Sequence, residues 1–408
     1  MMSYIDLNYS PSRNDLICLF KVESAKGISL KKAAEAIASE SSIGTWTEVK
    51  TMKPRIKKLG AKVFEIKGNY VKIAYPFELF EPGNLPQILS SIAGNIFGMK
   101  AVKNLRLEDV IFPEKLIKSF KGPKFGIEGI RELLKIYNRP LTGTIIKPKV
   151  GLSEKEHAKV AYDAWIGGID IVKDDENLSN LSFNKFSKRV LETLKMRDKA
   201  ENETGERKIY MPNITGEIDT MLQRANFVKA AGGEYAMVDI ITVGYSALQT
   251  LRNANESLSL VLHAHRAGHA AITKNQKHGI AMKVIAKLVR IIGFDQLHVG
   301  TIVGKMFESK EEVLENCKVL KEEMFGLKKV MPVASGGLHP LHIPELLKIF
   351  DNDVVLQFGG GCHAHPLGTV AGAKAIRQAL DAALQKIDLK DYSKIHKELK
   401  IALEKWGK

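Results

Sequence analysis

The sequence predicts an α/β protein in two parts, a (β/α)8 barrel over residues 121–408 preceded by a smaller α+β domain of ferredoxin-like type over residues 1–120. Three observations predict it. The chain has 408 residues, more than the roughly 250–300 at which a single core stops growing. Past residue 120, short runs rich in Val and Ile alternate with longer helical stretches, and the polar residues of those runs gather at their C-terminal ends.

Before residue 120 the signals are mixed. Residues 16–22 read as a strand, 30–39 as a helix, 61–75 as strand material around Gly68-Asn69, and 85–93 as a helix. The later part is regular. Its apolar runs cover residues 141–149, 169–176, 209–215, 237–242, 260–266, 296–301, 330–337 and 354–361. Eight βα repeats are what a closed barrel of about 250 residues requires. A doubly wound open sheet is the alternative, but it needs a reversal of strand order and usually has fewer strands.

Composition excludes several classes. No apolar run approaches the roughly 20 residues of a membrane span, and residues 1–20 mix Asp, Asn, Ser and Arg where a signal peptide would be apolar. A cytoplasmic protein without membrane association is expected. Cys18, Cys317 and Cys362 are scattered and lack CxxC spacing, which fits a reducing compartment and not a thiolate metal site. The net charge of +15 raises a nucleic-acid partner. Its lysines, however, run along the whole chain without a polybasic tail or interleaved aromatics, so a lysine-rich surface, or a field that attracts a small polyanion, explains the sign without nucleic acid.

The most specific segment is GIDIVKDDEN, residues 168–177. Strand alternation puts Lys173 and Asp175 on one side, and Glu176 turns inward as the strand ends. Three successive carboxylates beside a lysine at a barrel mouth are costly without a cation, and hard oxygen ligands select Mg2+. A solvated acidic turn is the bland reading. An ammonium cannot ligate a metal, so Lys173 must lose its proton or be modified; carbamylation by CO2 would do both.

GTIIKPKVG, residues 143–151, places Lys147 and Lys149 on one face, where neighbouring ammonium groups lower each other's proton affinity and can act as acid or base. The alternative is an edge strand protected by lysines. In HAHRAGHA, residues 263–270, the HxH pair suggests a transition-metal site, but Arg266 suits a phosphate and His263 and His269 read as structural. HVGTIVGKM, residues 298–306, carries His298 and sets Lys305 on a glycine-hinged loop able to close over a substrate. It lacks the first Gly and the Ser/Thr of a P-loop. Ser335, Gly336 and Gly337, then Gly359 and Gly360, follow the last two strands, where barrel enzymes bind phosphate through backbone N–H groups. His363 and His365 could form another metal pair, but they read as structural groups or as groups that orient a ligand from behind.

Together these blocks resemble the large subunit of ribulose-1,5-bisphosphate carboxylase/oxygenase over residues 39–383, joined by ESSIGTWTEV at residues 40–49 and GNIFGMKAVKNLRLED at residues 94–109. The compact length and the KMFES sequence resemble the archaeal form III and form II/III types, which work without small subunits. The resemblance implies that Lys173 is carbamylated and holds Mg2+ with Asp175 and Glu176, and that the carbamate takes the C3 proton of ribulose 1,5-bisphosphate. Lys147 would handle protons at C2 and in the product, Lys149, His265 and Asn95 would support the enediolate, and Lys305 would stabilise the new carboxylate. Arg266 and His298 would hold one phosphate, and Thr45, Trp46, Gly337, Gly359 and Gly360 the other, with Ser335 on a sugar hydroxyl. Glu40 would reach Lys305 from a partner subunit in a homodimer or a higher assembly of dimers.

The products would be two molecules of 3-phosphoglycerate, with O2 as a competing substrate and nucleotide breakdown as the implied source of carbon. Gly268, Ile145 and Ala364 depart from plant-type chains without removing a chemical group. A carboxylase-like homologue that only enolises or isomerises a sugar phosphate is the nearest rival, but such relatives lose residues that stand here at Glu40, Asn95, Lys147 and Lys305. A non-enzymatic nucleic-acid-binding protein is the distant one.

Overall fold

The computed structural model describes residues 3–45, 47, 49–304 and 308–407. It divides into two compact units, Met1–Lys121 with Gly268–Ile292 and Met324–Gly326, and Gly122–Ala267 with Gly293–Glu323 and Leu327–Lys408. None of the described helices is long and apolar enough to cross a membrane.

In the first unit, β1 (Leu16–Ser24), β2 (Lys62–Lys67), β3 (Tyr70–Tyr75) and β4 (Val102–Ile111) form an antiparallel sheet in the order β4-β1-β3-β2. β1 alternates buried and half-buried residues, as a strand with one face on a core must. Helices Leu30–Glu40 and Leu85–Ile92 make the crossovers, giving the ferredoxin-like βαββαβ path. Ser29 caps the first by accepting from the Lys32 N–H, and Asn84 caps the second by accepting from Gln87. Neither β4 nor the way this unit takes in residues 268–292 stands out in the sequence, because β4 is interrupted by Lys, Asn, Arg, Glu and Asp.

The second unit is the barrel. Its strands are β5 (Leu141–Ile145), β6 (Ile171–Lys173), β7 (Ile209–Met211), β8 (Tyr235–Asp239) and β9 (Val261–His265). The two-residue β10 (Gly279–Ile280) then pairs with β4 in the first unit, and β11 (Gln296–His298), β12 (Met331–Ser335) and β13 (Val355–Phe358) complete the barrel. All its pairings are parallel, in the order β7-β6-β5-β13-β12-β11-β9-β8, and the ring closes between β7 and β8 through a single bridge, Asn213 to Met237. Strands β5 to β8 are buried on both faces, which explains their continuous apolar runs.

The core explains which end of the barrel is chemically available. Ile127, Ile130 and Leu134 of helix Gly126–Leu134 join Leu141, Ile171, Ile209, Tyr235, Val261, Met331 and Val355 in one apolar cluster. These strand residues are at or near the N-terminal ends, so the helix plugs that end. Removing the side chain of Ile130 would cost about 2–5 kcal/mol. Asp295 fixes the plug by accepting from Phe125 and Gly126 N–H at 2.7 and 2.8 Å. Polar groups are left to the opposite mouth.

Candidate active site

At the mouth, β6 ends at Lys173 and the chain turns through Asp174, Asp175 and Glu176. Lys173 is 1% exposed. Its Nζ donates to the Asp174 carbonyl at 2.8 Å and lies 3.2 Å from Met237 Sδ, with Glu176 Oε2 4.0 Å away. Burial holds the ammonium pKa below its ordinary value and Lys147 adds to the depression, while Glu176, Asp175 and Asp174 oppose it. A carbonyl and a thioether are poor partners for a buried cation, and the neutral amine that burial favours is a nucleophile. Glu176 behaves oppositely: burial would raise its pKa, but Lys173, His265 and Lys149 bring it down to about 2.

The lysine pair follows β5, which stops at Ile145, so Lys147 and Lys149 stand in the segment after the strand and not within it. Each pairs with a different carboxylate. Lys147 Nζ lies 2.6 Å from Asp175 Oδ2, and Lys149 Nζ lies 3.6 Å from Glu176 Oε1 and 3.5 Å from Asn177 Oδ1. A Cβ on Gly359 would sit 3.5 Å from Lys147 Cε, which places the loop after β13 against that lysine.

His265 ends β9. Its Nδ1 meets Asp239 Oδ1 at 2.6 Å and its Nε2 lies 3.6 Å from Glu176 Oε2. Burial and then Lys173 lower its pKa against the opposing pull of Asp239, favouring a neutral ring with Nδ1–H on Asp239 and Nε2 free to accept a proton. The His298 ring lies 4.8 Å from both His263 and His265. Arg266 is buried and pairs with Glu308 at 2.5 Å, yet its Nη1 and the Nε2 of His298 are buried without a hydrogen-bond partner among the described residues. An anionic group reaching both atoms would satisfy them.

Glycine geometry shapes the remaining rim. Gly336 and Gly337 after β12 have φ of 138° and 78°, and a Cβ on Gly304 (φ 97°) would come 2.3 Å from the Gly336 carbonyl oxygen. Only glycine tolerates that approach and that backbone. Ser335 is half-buried, and Gly359 and Gly360 open onto the same end of the strands. Lys305 and Trp46 lie outside the described residues. Glu40, Thr45 and Asn95 belong to the first unit and are exposed there.

Other histidines are engaged elsewhere. His263 bonds Gln296 at 3.0 Å, His363 meets Thr144 and Thr369 at 3.0 and 3.1 Å, and His365 meets the Glu398 carbonyl at 3.0 Å. Sequence reasoning missed Asp239, Glu308 and Asn213. Asp239 and Asn213 both carried a usable signal, a polar residue near the C-terminal end of an apolar run.

A divalent cation can be tested against these donors. Among the described residues no group of three or more His, Cys, Asp or Glu gathers for a metal. Asp175 and Glu176 supply hard oxygens, and the third position is Lys173, so the set suits Mg2+ once that amine becomes an oxygen ligand.

Comparison with known proteins places this geometry. Residues 3–116 match the ribulose bisphosphate carboxylase large chain N-terminal domain, and residues 126–406 match its catalytic domain. A ribulose bisphosphate carboxylase of Methanosarcina mazei is 52% identical over 99% of both chains, and one of Pyrococcus furiosus is 52% identical over 100% of this chain and 97% of its own. A crystal structure of the sulfate complex of octameric ribulose-1,5-bisphosphate carboxylase/oxygenase from Pyrococcus horikoshii superposes with TM-score 0.96 at 49% identity, covering 99% of this chain and 96% of that one. A dimeric archaeal Rubisco from Hyperthermus butylicus gives 0.93 at 44% identity, covering 99% and 98%. The chain belongs to the ribulose bisphosphate carboxylase large-chain family.

Proposed function

We propose that the chain carboxylates ribulose 1,5-bisphosphate, with Lys173 as the site of CO2 activation. The observation that carries this is the buried Lys173 amine 4.0 Å from Glu176, at the start of the turn whose next carboxylate, Asp175, pairs with Lys147. In activation the neutral amine adds to CO2: an N–C bond forms, one C=O electron pair moves to oxygen, and the nitrogen releases one proton to solvent. The resulting carbamate completes a hard-oxygen set with Asp175 and Glu176. Mg2+ held there by Lys173, Asp175 and Glu176 would supply a Lewis acid that favours negative charge on a substrate oxygen.

The chain's own groups do the rest. Lys173 as carbamate takes the C3 proton; Lys147 exchanges protons at C2 and with the final product; His265, its ring oriented by Asp239, supports hydration together with Lys149 and Asn95. Arg266 and His298 offer their unpartnered atoms to one phosphate. The backbone at Gly336, Gly337, Gly359 and Gly360, with Thr45 and Trp46, takes the other, and Ser335 meets a sugar hydroxyl. Lys305 closes over the added CO2. The test is to incubate the protein with Mg2+, labelled bicarbonate and ribulose bisphosphate. Labelled 3-phosphoglycerate is expected, whereas an isomerised, unlabelled sugar phosphate would identify an enolising homologue.

The exposed positions of Glu40, Thr45 and Asn95 support a second part of the proposal, that they serve the barrel of a neighbouring copy in a two-fold dimer. Glu40→Ala and Lys173→Ala chains, each inactive, should regain about a quarter of wild-type activity when refolded together, because random pairing makes about half the dimers mixed and each mixed dimer keeps one intact site. A verified mixed population without activity would place Glu40 in its own chain's chemistry or outside it altogether.

A further inference from the structure

The turn that carries Asp175 and Glu176 is gripped by groups that take no part in the chemistry above. Asp174 points away from Lys173 into the barrel wall, where it accepts from Tyr210 Oη at 2.7 Å, Arg189 Nε at 3.1 Å and the Asn213 N–H at 2.9 Å, with His157 Nε2 at 3.1 Å. Asn213, 1% exposed, holds the turn by its backbone. Its Nδ2 lies 3.1 Å from the Glu176 carbonyl, 3.1 Å from that of Leu178 and 3.5 Å from that of Asp175. Its Oδ1 accepts from the Thr215 N–H at 3.0 Å and the Thr215 hydroxyl at 2.6 Å. The partners fix the amide's orientation, since three carbonyls can only accept.

The contact continues. Thr215 Oγ1 accepts from the Asp239 N–H at 3.0 Å, and Asp239 holds His265. One buried amide therefore ties the acidic turn after β6 to the residue that orients the imidazole at the end of β9. It does so where the barrel ladder is thinnest, at the single bridge from Asn213 to Met237. β6 has already ended at Lys173, so the sheet itself does not set the direction of Asp175 and Glu176.

We propose that Asn213 is a positioning residue for cation and CO2 binding: its side-chain amide fixes the backbone of Asp175 and Glu176 so that both carboxylates are aimed before their ligands arrive. The inference rests on the reading that Lys173, Asp175 and Glu176 bind CO2 and Mg2+. Groups that orient metal ligands from behind typically change affinity by about 10- to 100-fold when removed. Asn213 makes no contact with substrate in this role, so its loss acts on the site's affinity for the ion and not on the recognition of phosphate.

The test measures Mn2+ binding by electron paramagnetic resonance in the presence of bicarbonate, for wild type and Asn213→Ala, with folding checked by circular dichroism. Asn213→Ala should bind Mn2+ about tenfold or more weakly, and should need correspondingly more CO2 and Mg2+ for half-activation. Its affinity for ribulose bisphosphate without metal should stay within about twofold. A purely structural role would instead reduce the number of sites and the bisphosphate affinity together, leaving the Mn2+ dissociation constant unchanged. A folded Asn213→Ala with wild-type Mn2+ affinity overturns the proposal. Should that chain not fold, Thr215→Val, which removes the hydroxyl that donates to the amide and accepts from the Asp239 N–H, should weaken Mn2+ binding about threefold, and an unchanged constant there overturns it equally. If wild type itself shows no bicarbonate-dependent Mn2+ site, the underlying reading of Lys173 fails, and that result differs visibly from a failure of Asn213 alone.

Discussion

The two ends of β6 bury opposite charges in opposite ways. At the plugged end, Asp170 is fully buried but surrounded by donors: Arg139 approaches it with two bonds of 2.7 Å, the Thr142 N–H and hydroxyl add bonds of 2.8 and 2.9 Å, and Arg377 stands at 3.4 Å. At the mouth, Lys173 is equally buried but has a carbonyl and a thioether for close partners. Burial would raise the Asp170 pKa, yet Arg139, Arg377 and Lys208 carry it below the ordinary value. At Lys173 burial wins over the surrounding carboxylates. A satisfied buried charge stabilises the fold and is inert, while an under-satisfied one is held ready to change its state.

The largest expected effect separates these roles by activity. Lys173→Ala should lower carboxylation by about 10³-fold or more, while its melting temperature stays the same or rises, because a poorly partnered buried cation is gone. Asp170→Ala should do the reverse. It leaves the Arg139 guanidinium buried without its carboxylate, and denaturant unfolding should show a loss of about 3–5 kcal/mol. The CO2 and Mg2+ dependence of the enzyme that remains folded should be unchanged. Equal losses of activity per folded molecule in the two variants would erase the distinction.

A smaller effect sharpens the picture of the mouth. Asp239→Asn removes the carboxylate that orients His265, and turnover should fall about 10- to 100-fold with little change in stability. Steady-state kinetics beside a melting curve checks it.

The smallest effect is in pH. If Lys173 takes up CO2 as proposed, it does so as the neutral amine, so activation should rise with pH and level off as pH passes the folded-state pKa, which lies below the ordinary lysine value of about 10.4. Asp170 is the depressed carboxylate case. Its stabilisation is fully present above the unfolded pKa of about 3.9 and is lost as pH falls through the folded value. Above the unfolded carboxylate value of about 3.9 and below the folded-state pKa of Lys173, activation should therefore rise with pH while the unfolding free energy attributable to Asp170 does not change.

Much of the mouth was legible in the sequence for the same reason. Strand alternation alone put Lys173 and Asp175 on one side, and the structure buries both and turns Asp174 the other way into Tyr210 and Arg189. The barrel's apolar runs announced its strands because parallel strands are buried on both faces. The expected strands ran long at the mouth, since β5 and β6 each make one more backbone bond past their ends, Ile146 N–H to the Lys173 carbonyl and Asp174 N–H to that of Met211, before the chain turns away, and the turn after β6 is then held by the Asn213 side chain. The ion pair of Arg266 with Glu308 and the reach of Asn213 to three carbonyls depend on pairs far apart in sequence, which no local pattern encodes. β4 was missed because its charged residues mask the strand period, and Lys287 pairs with one of them, Asp109, at 2.6 Å.

The most direct test of the account is the fate of CO2 on the protein itself. Carbon-13 NMR of the chain with labelled bicarbonate and Mg2+ should show a carbamate carbon in wild type that is absent from Lys173→Ala and persists in Asp170→Asn. An active wild type without that resonance, or a resonance undiminished in Lys173→Ala, would contradict the claim that the under-satisfied lysine at the mouth of β6 is the group that takes up CO2.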